Sequence, residues 1–503
     1  MPELPKRITG YGPIRTPADG HADCLAAAKT GARRAKLHAD LDDAISASGL
    51  SDGAVISFHH HLRNGDAVLN RVLEALARRG IRNLHVAASS IFPVHAPLVN
   101  HIRDGTVTRL SASYISGPVA EAVSQGRLAE PVILRTHGGR ARALDRGDLA
   151  IDVAFVAAPA ADALGNISGR AGQTACGTLG YPMVDVAVAG RVIAVTDTLV
   201  PYPAPAIDIP QDKVDGVVCI DRIGDPAGIA SGTTRPAEDP VSLEIGARAA
   251  AAIAASGLMT DGFSFQTGAG GISLATAASV GGEMAARGIT GSFCSGGITG
   301  FHVDMLNAGL FAGLLDVQCF DLAAVRSYRD DPRHQAVSAA VYAGPHIGGA
   351  VVDRLDAVVL GAAEVDLDFN VNVTTKAGGL LIGGSGGHAD TAAGARLSVV
   401  TTRLTAAGFP KIVPAVTTVT TPGATVDVIV TEAGIAVNPA RAELADRLRH
   451  AGLPVIAIGK LVSRAATVAT RHPPPRPDGR IVAVSEYRDG SVTDVVRQVS
   501  DTG

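Results

Sequence analysis

Apolar residues in this chain come in short, β-branched runs: AVISF (54–58), NLHVAAS (83–89), DVAFVAAP (152–159) and DAVVLGAA (356–363). None alternates cleanly between apolar and polar positions, so each predicts a strand buried on both faces, as in a parallel sheet. Between them lie segments such as AVLNRVLEALARRG (67–80), where apolar residues recur at helical spacing. Strands of the first kind alternating with helices of the second predict an α/β protein: open sheets with helices on both faces.

The pattern occurs twice. Residues 152–166, DVAFVAAPAADALGN, align without a gap on 356–370, DAVVLGAAEVDLDFN, placing Asp152 on Asp356, Ala158 on Ala362, Asp162 on Asp366 and Asn166 on Asn370. Upstream, Ser57-Phe58 and a helical run ending at Ile81 match Ser264-Phe265 and a run ending at Ile289. Downstream, VIAVTDTLVPY (192–202) matches IVPAVTTVTTPG (412–423), and KVDGVVCI (213–220) matches TVDVIVTE (425–432). Matches in one order along the chain predict two related tandem domains. The expected division is an N-terminal helical extension (1–50), a first domain (51–235) and a second (236–503), with the Pro-, Gly- and charge-rich stretch 221–240 as linker. In the repeat, Glu364 falls opposite Ala160. A carboxylate gained at the carboxyl end of a buried strand, where open α/β sheets bind ligands, is either a functional group or a solvated loop carboxylate.

Composition narrows the classes. A chain of 503 residues with net charge -4 and no basic run gives no footprint for nucleic acid. No apolar stretch is long enough to span a bilayer, and the N-terminus, MPELPKRITGYG, lacks the apolar centre of a signal peptide. The five cysteines have no CxxC or other metal-like spacing, which suits a reducing compartment. A soluble, cytoplasmic protein is expected.

Two glycine-rich loops are candidates for chemistry: QTGAGGI (266–272) and GGSGGHAD (383–390). Such loops expose backbone N–H groups that can hold a phosphate or an oxyanion. Neither matches GxGxxG, which argues against a nicotinamide enzyme, and GxxxxGK[ST] is absent, which excludes a P-loop ATPase. The stretch FHHHLRNGD (58–66) ends the first strand; neighbouring histidines there point to opposite faces, so a shared metal is not expected. With Arg63 they suit a polycarboxylate or a phosphate, or else form a solvated loop with one histidine facing the core. No GxSxG elbow supports a serine nucleophile, and Cys176 and Cys294 read as packing residues.

GAAEVDLDFNVNV (361–373), GGSGGHAD and TTPGATVDVIVTEAGIAVNPAR (420–441) resemble the C-terminal half of acetyl-CoA hydrolase/transferase proteins, and DVAFVAAPAADALGNIS their N-terminal half. With SFHHHLRNGD, APLVNHIRDG, SFQTGAGG, LLDVQCFD, SGGHADTA and YRDGSVTDVVRQV, the chain from about Leu37 onward most resembles the citrate lyase alpha-subunit family. The resemblance implies two CoA-transferase-like domains that exchange acyl groups, turning citrate and an acetyl thioester into a citryl thioester and acetate. It implies no tightly bound cofactor and no metal. The thioester is acetyl-CoA or the CoA-like prosthetic group of an acyl-carrier (gamma) subunit, and a beta subunit cleaves the citryl thioester, within an oligomeric assembly. It also implies roles: Glu364 attacks the thioester, or else positions or polarises it; Gly386 and Gly387 hold the oxyanion. Thr267, Gly268, Gly270, Gly271, Gly384 and Ser385 would lie beside the CoA-like arm. His59, His60 and Arg63 would take citrate carboxylates in a cleft between the two copies. The alternative is a CoA-transferase for another small acid, citramalate or acetate, working outside a lyase complex.

Overall fold

The computed structural model describes residues 5–10, 12–13, 36–230, 237–268 and 270–500. Most of the expected N-terminal helical extension (14–35) lies outside them. Two large sheets carry the fold. The first has ten strands, in the order Val492–Arg497, Ile481–Glu486, Val132–Arg135, Val107–Ala112, Leu84–Ala88, Val55–Phe58, Val153–Ala158, Arg191–Thr196, Gly216–Cys219, Leu37–His38. The second has eight: His334–Ala336, Phe311–Cys319, Gly291–Ile298, Ser264–Thr267, Ala357–Gly361, Ser398–Thr401, Val428–Thr431, Gly434–Val437. Seven parallel strands occupy the same order in both, so the duplication read from the sequence is a duplication of topology. Within these seven strands the chain starts in the middle, works to one side, then returns to the other side of its first strand. The place where that direction reverses is the crevice in which such sheets bind ligands.

The shared residues of the repeat are architectural. Asp152 accepts the Val55 amide and Asp356 the Ser264 amide, at 2.7 and 3.0 Å, tying the first strand of each half to its fifth. Asp162 accepts the Leu164, Asn166 and Ala204 amides and the Asn166 side chain; Asp366 accepts the Asp368, Asn370 and Val416 amides and the Asn370 side chain. Each aspartate thus closes the same small hairpin. Helices cover both faces. In Val68–Arg78 the buried residues Val68, Leu69, Val72, Leu73 and Leu76 form one stripe against the sheet.

Four expectations shift. The Val55 and Ser264 bonds place those residues opposite one another, so Ser57 matches Gln266 rather than Ser264. The strand Arg191–Thr196 is matched by Ser398–Thr401, not by the segment after Ile412. The last strands, Ile481–Glu486 and Val492–Arg497, complete the first sheet, because Ile481–Glu486 pairs in parallel with the free edge of Val132–Arg135. Leu37–His38 likewise joins the other edge, so the ends of the chain bracket the first sheet. Finally, the described part of the expected linker is packed in place: the Asp225 amide donates to the Gly65 carbonyl and Ala67 to the Ile223 carbonyl.

Candidate active site

Both crevices open onto one cavity of about 290 Å³ between the two halves. From the first half come His60, Arg63, Phe92, His137 and Tyr181; from the second, Gln266, Thr267, Gly268, Gly270, Gln318, Phe320 and Gly384 to Gly387. The turn after the first strand of each half supplies one wall, histidines and arginine on one side and glycines on the other.

Arg63 dominates the electrostatics. It is buried, has φ of 52°, and its guanidinium lies 5.1 Å from the Phe92 ring centre and 4.5 Å from that of Phe320. A left-handed arginine costs about 1–3 kcal/mol and must be held by its surroundings. Here Arg63 donates its amide to the His60 carbonyl at 2.8 Å, Gly65 donates to Leu62, and Asp225 pins Gly65 from behind. Its side chain makes no ion pair or hydrogen bond among the described residues, and Nε is sealed without a partner. Burial pulls the guanidinium down to about 10, which leaves it cationic at neutral pH. A buried unpaired cation between two aromatic faces is costly unless an anion joins it.

The histidine triplet alternates as its extended backbone requires. His60 faces the cavity, its Nδ1 on the Ser89 hydroxyl and its ring against Tyr181 and His137 at 4.5 and 5.8 Å. His59 and His61 point the other way, stacked on each other at 6.4 Å. His59 lies 3.7 Å from Asp185, which Arg140 also grips, and does not line the cavity; its expected carboxylate-binding role is corrected on that ground. His61 bonds the Ala157 carbonyl. Burial keeps all three neutral, pushing His59 to about 3 and His60 well below the usual imidazole range.

The glycine loops split in the same way. Thr267, Gly268 and Gly270 line the cavity; Gly271 begins the helix Gly271–Arg287 and does not. In the other loop Gly384, Ser385, Gly386 and Gly387 all line it. The Gly386 amide, however, donates to the Ser113 carbonyl at 3.1 Å, so its expected oxyanion role is corrected: the donor is already used. The Gly387 amide has no partner among the described residues. His388 anchors the loop, bonding the Gly361 carbonyl through Nε2 and Thr421 through Nδ1, and burial lowers it to about 4.

Glu364 is not on the cavity wall. It is buried in the hairpin Glu364–Val365 with Val371–Asn372, and its carboxylate accepts the Asn372 side chain at 2.8 Å, the Thr417 amide at 2.7 Å and the Thr417 hydroxyl at 3.1 Å. In the first half the same cross-strand pair is Ala160 and Ser168.

Sequence reasoning missed His137, Tyr181, Gln318 and Phe320. Gln318 donates Nε2 to the His60 carbonyl at 2.8 Å, across the cleft. Asp390 spans it too, accepting the Thr136 hydroxyl and the Gly138 amide. Asp316, Cys319 and His334 come close enough to suggest a metal, which no cysteine spacing had indicated. The Asp316 carboxylate is instead occupied by the Cys319 thiol, His334 Nε2 and the Thr178 hydroxyl, a further tie between the halves. Among the described residues no helix is long and apolar enough to cross a membrane.

Two tandem open sheets sharing one cleft define a protein of the CoA-transferase-like α/β class. A solved malonate decarboxylase alpha subunit from Acinetobacter baumannii shares that fold at 17% identity, with a TM-score of 0.63 over 89% of this chain and 90% of that one. The model of the family "Citrate lyase, alpha subunit (CitF)" matches residues 34–499, and the chain belongs to that family. It is 48% identical to the citrate lyase alpha chain of Escherichia coli (strain K12) over 93% of this chain and 92% of that protein. The citrate lyase alpha chain of Klebsiella pneumoniae is 45% identical, with the same coverage of 93% and 92%. A Streptococcus mutans protein assigned as a citrate lyase alpha subunit, solved in complex with citrate, superposes with a TM-score of 0.91 at 46% identity, covering 93% of this chain and 92% of that one.

Proposed function

We propose that the cleft exchanges acyl groups between an acetyl thioester and citrate, giving a citryl thioester and acetate. Arg63 carries this reading. A buried guanidinium with no anion of its own, between Phe92 and Phe320, fits a carboxylate better than any other ligand of the cavity, and citrate is bound in the Streptococcus mutans relative. His60, kept neutral, can add a hydrogen bond without a charge to desolvate. Thr267, Gly268, Gly270, Gly384 and Ser385 form the opposite wall, where the thioester arm would lie. The arm is that of acetyl-CoA or of a CoA-like group on a gamma-type carrier, with a beta-type lyase subunit consuming the product in the same assembly.

The reaction needs no protein nucleophile. A citrate carboxylate oxygen attacks the acetyl carbon and the thiolate leaves; the thiolate then attacks the citryl carbonyl of the mixed anhydride and acetate departs. No net proton moves. Glu364 fits this as a positioning residue, since three donors already hold its carboxylate away from the cavity.

The test is purified protein with citrate and acetyl-CoA, followed by mass spectrometry for citryl-CoA and acetate. Arg63→Met should lower kcat/KM for citrate by about 100-fold, the loss of one buried charge-assisted pair, with the fold intact by circular dichroism. Exchange onto acetate or other acids at equal rates, indifferent to Arg63, would refute citrate as the substrate.

A further inference from the structure

His137 begins the helix His137–Arg146 at the end of the strand Val132–Arg135, and it is placed for chemistry rather than packing. Its ring lines the cavity, stacked on His60 at 5.8 Å and tilted against Tyr181 at 4.6 Å. Neither ring nitrogen has a hydrogen-bond partner among the described residues, and Nδ1 is sealed from solvent. Its own amide donates to the Gly386 carbonyl at 2.8 Å, which fixes the ring over the glycine loop. Gly386 leaves the space in front of the ring open: a Cβ there would stand 3.3 Å from Nε2, at a φ of +51° that favours glycine. The Gly386 amide is spent on Ser113, so the loop lacks one of the donors a tetrahedral acyl intermediate needs.

We propose that His137 supplies that donor, its Nε2–H donating a hydrogen bond to the thioester carbonyl oxygen as the acyl carbon is attacked. This rests on the acyl-exchange reading above. The substrate carboxylate oxygen bonds to the acyl carbon, the carbonyl π pair moves onto oxygen, and His137 hydrogen-bonds that oxygen without transferring a proton. The pair then returns and the carbon–sulfur bond breaks. The tautomer follows from burial: a sealed, unpartnered Nδ1 is less costly as a bare acceptor than as an orphaned N–H, so the proton sits on Nε2. The ring is neutral, lowered to about 3 by burial and then by Arg140, so it donates without becoming a competing acid.

The experiment is isotope-edited infrared spectroscopy of acetyl-CoA, labelled at the acetyl carbonyl, bound to the protein, combined with exchange kinetics. The wild type should shift the bound carbonyl stretch to lower frequency. His137→Phe, which keeps the shape but not the donor, should abolish that shift and lower kcat by about 100-fold with the citrate KM within threefold. His137→Gln, with an amide N–H, should restore part of both. A bound carbonyl at its solution frequency in the wild type overturns the proposal, as does a His137→Phe enzyme whose citrate KM rises while kcat holds. If the carbonyl shifts and His137→Phe removes the shift, yet citrate gives no exchange, the donor stands and the choice of citrate is what fails.

Discussion

The two halves place the same turn after the same strand and put different chemistry in it. After Val55–Phe58 the first half carries His59, His60, His61 and Arg63; after Ser264–Thr267 the second carries Gly268, Gly270 and Gly271. One wall therefore presents a cation and imidazoles, and the other presents backbone. The hairpin that follows each fifth strand shows the reverse division: Asp162 and Asn166 repeat as Asp366 and Asn370 with the same set of bonds, while Ala160 and Ser168 become Glu364 and Asn372. What the halves share holds the sheets. What they do not share faces the cleft or supports it. Duplication gave a symmetric scaffold, and catalysis needs unlike walls: one to hold an acid, one to let a thioester approach.

Acid should break the comparison most strongly. His59 and His137, at about 3, and His60, well below its usual range, belong to the first half; His302 and His388, both at about 4, belong to the second. Burial is the leading cause in each. Their folded values lie under the unfolded value near 6.5, so the stability they contribute is complete above pH 6.5 and is lost progressively as pH falls through about 4 for His302 and His388 and about 3 for His59 and His137. At pH 5 His59, His137, His302 and His388 each cost on the order of 2 kcal/mol. Asp390, raised by burial to about 6, works the other way: its contribution is present below pH 3.8 and lost as pH rises through 6. Burial also lowers His61 and His85 and raises Asp427, and the lowered imidazoles, more numerous than the raised carboxyls, leave acid strongly destabilising. Calorimetric melting between pH 7.5 and 5 should show a steep fall, and hydrogen exchange corrected for intrinsic rates should show the first half opening earlier. A melting temperature flat over that range would mean the imidazoles are charged in the fold.

Giving the second half the residue of the first sharpens the comparison. Glu364→Ala leaves the Thr417 amide, its hydroxyl and the Asn372 side chain without their acceptor, at about 2–3 kcal/mol of stability. Glu364→Gln keeps one oxygen and should retain exchange within about tenfold, since no covalent step passes through it. A loss beyond a thousandfold in Glu364→Gln, with a thioester adduct on the wild-type residue by mass spectrometry, would make it the nucleophile.

Strand and helix identities, the parallel sheets and the duplication were legible because buried strands and amphipathic helices write local periodicities, and the repeat writes them twice. Alternation along the extended backbone separated His60 from its neighbours in principle, although which face met the cleft depended on the fold. The importance of position 364 was visible as a difference between copies. Its direction was not, because that depends on pairing with Asn372 and on Thr417, 53 residues further on. His137, Tyr181, Gln318 and Phe320 reach the cavity from scattered positions in both halves; Gln318 and Phe320 lie within the family-like stretch LLDVQCFD, but nothing local to any of the four marks it as facing the cleft. The hairpin at 481–497 joins an edge that lies some 350 residues upstream, as with the pair Arg135 and Glu486 at a separation of 351, so local sequence could not place it.

The smallest effect tests the scaffold side of the comparison. Asp162→Asn and Asp366→Asn each replace a carboxylate oxygen by an amide that must face donors, the Asn166 side chain and Ala204 amide in one half, the Asn370 side chain and Val416 amide in the other. Each should cost about 1–2 kcal/mol, from one or two hydrogen bonds turned into donor–donor contacts. If the hairpins are equivalent supports, the two costs agree within about 0.5 kcal/mol, and, lying far apart, they add in the double variant. Neither should change kcat for exchange at 25 °C, because neither aspartate lines the cavity. Denaturant melts of the two single variants and the double decide it. Unequal costs, with the larger at Asp366 and a matching fall in kcat, would mean that the second hairpin carries strain on behalf of Glu364 and that scaffold and chemistry are not separable there.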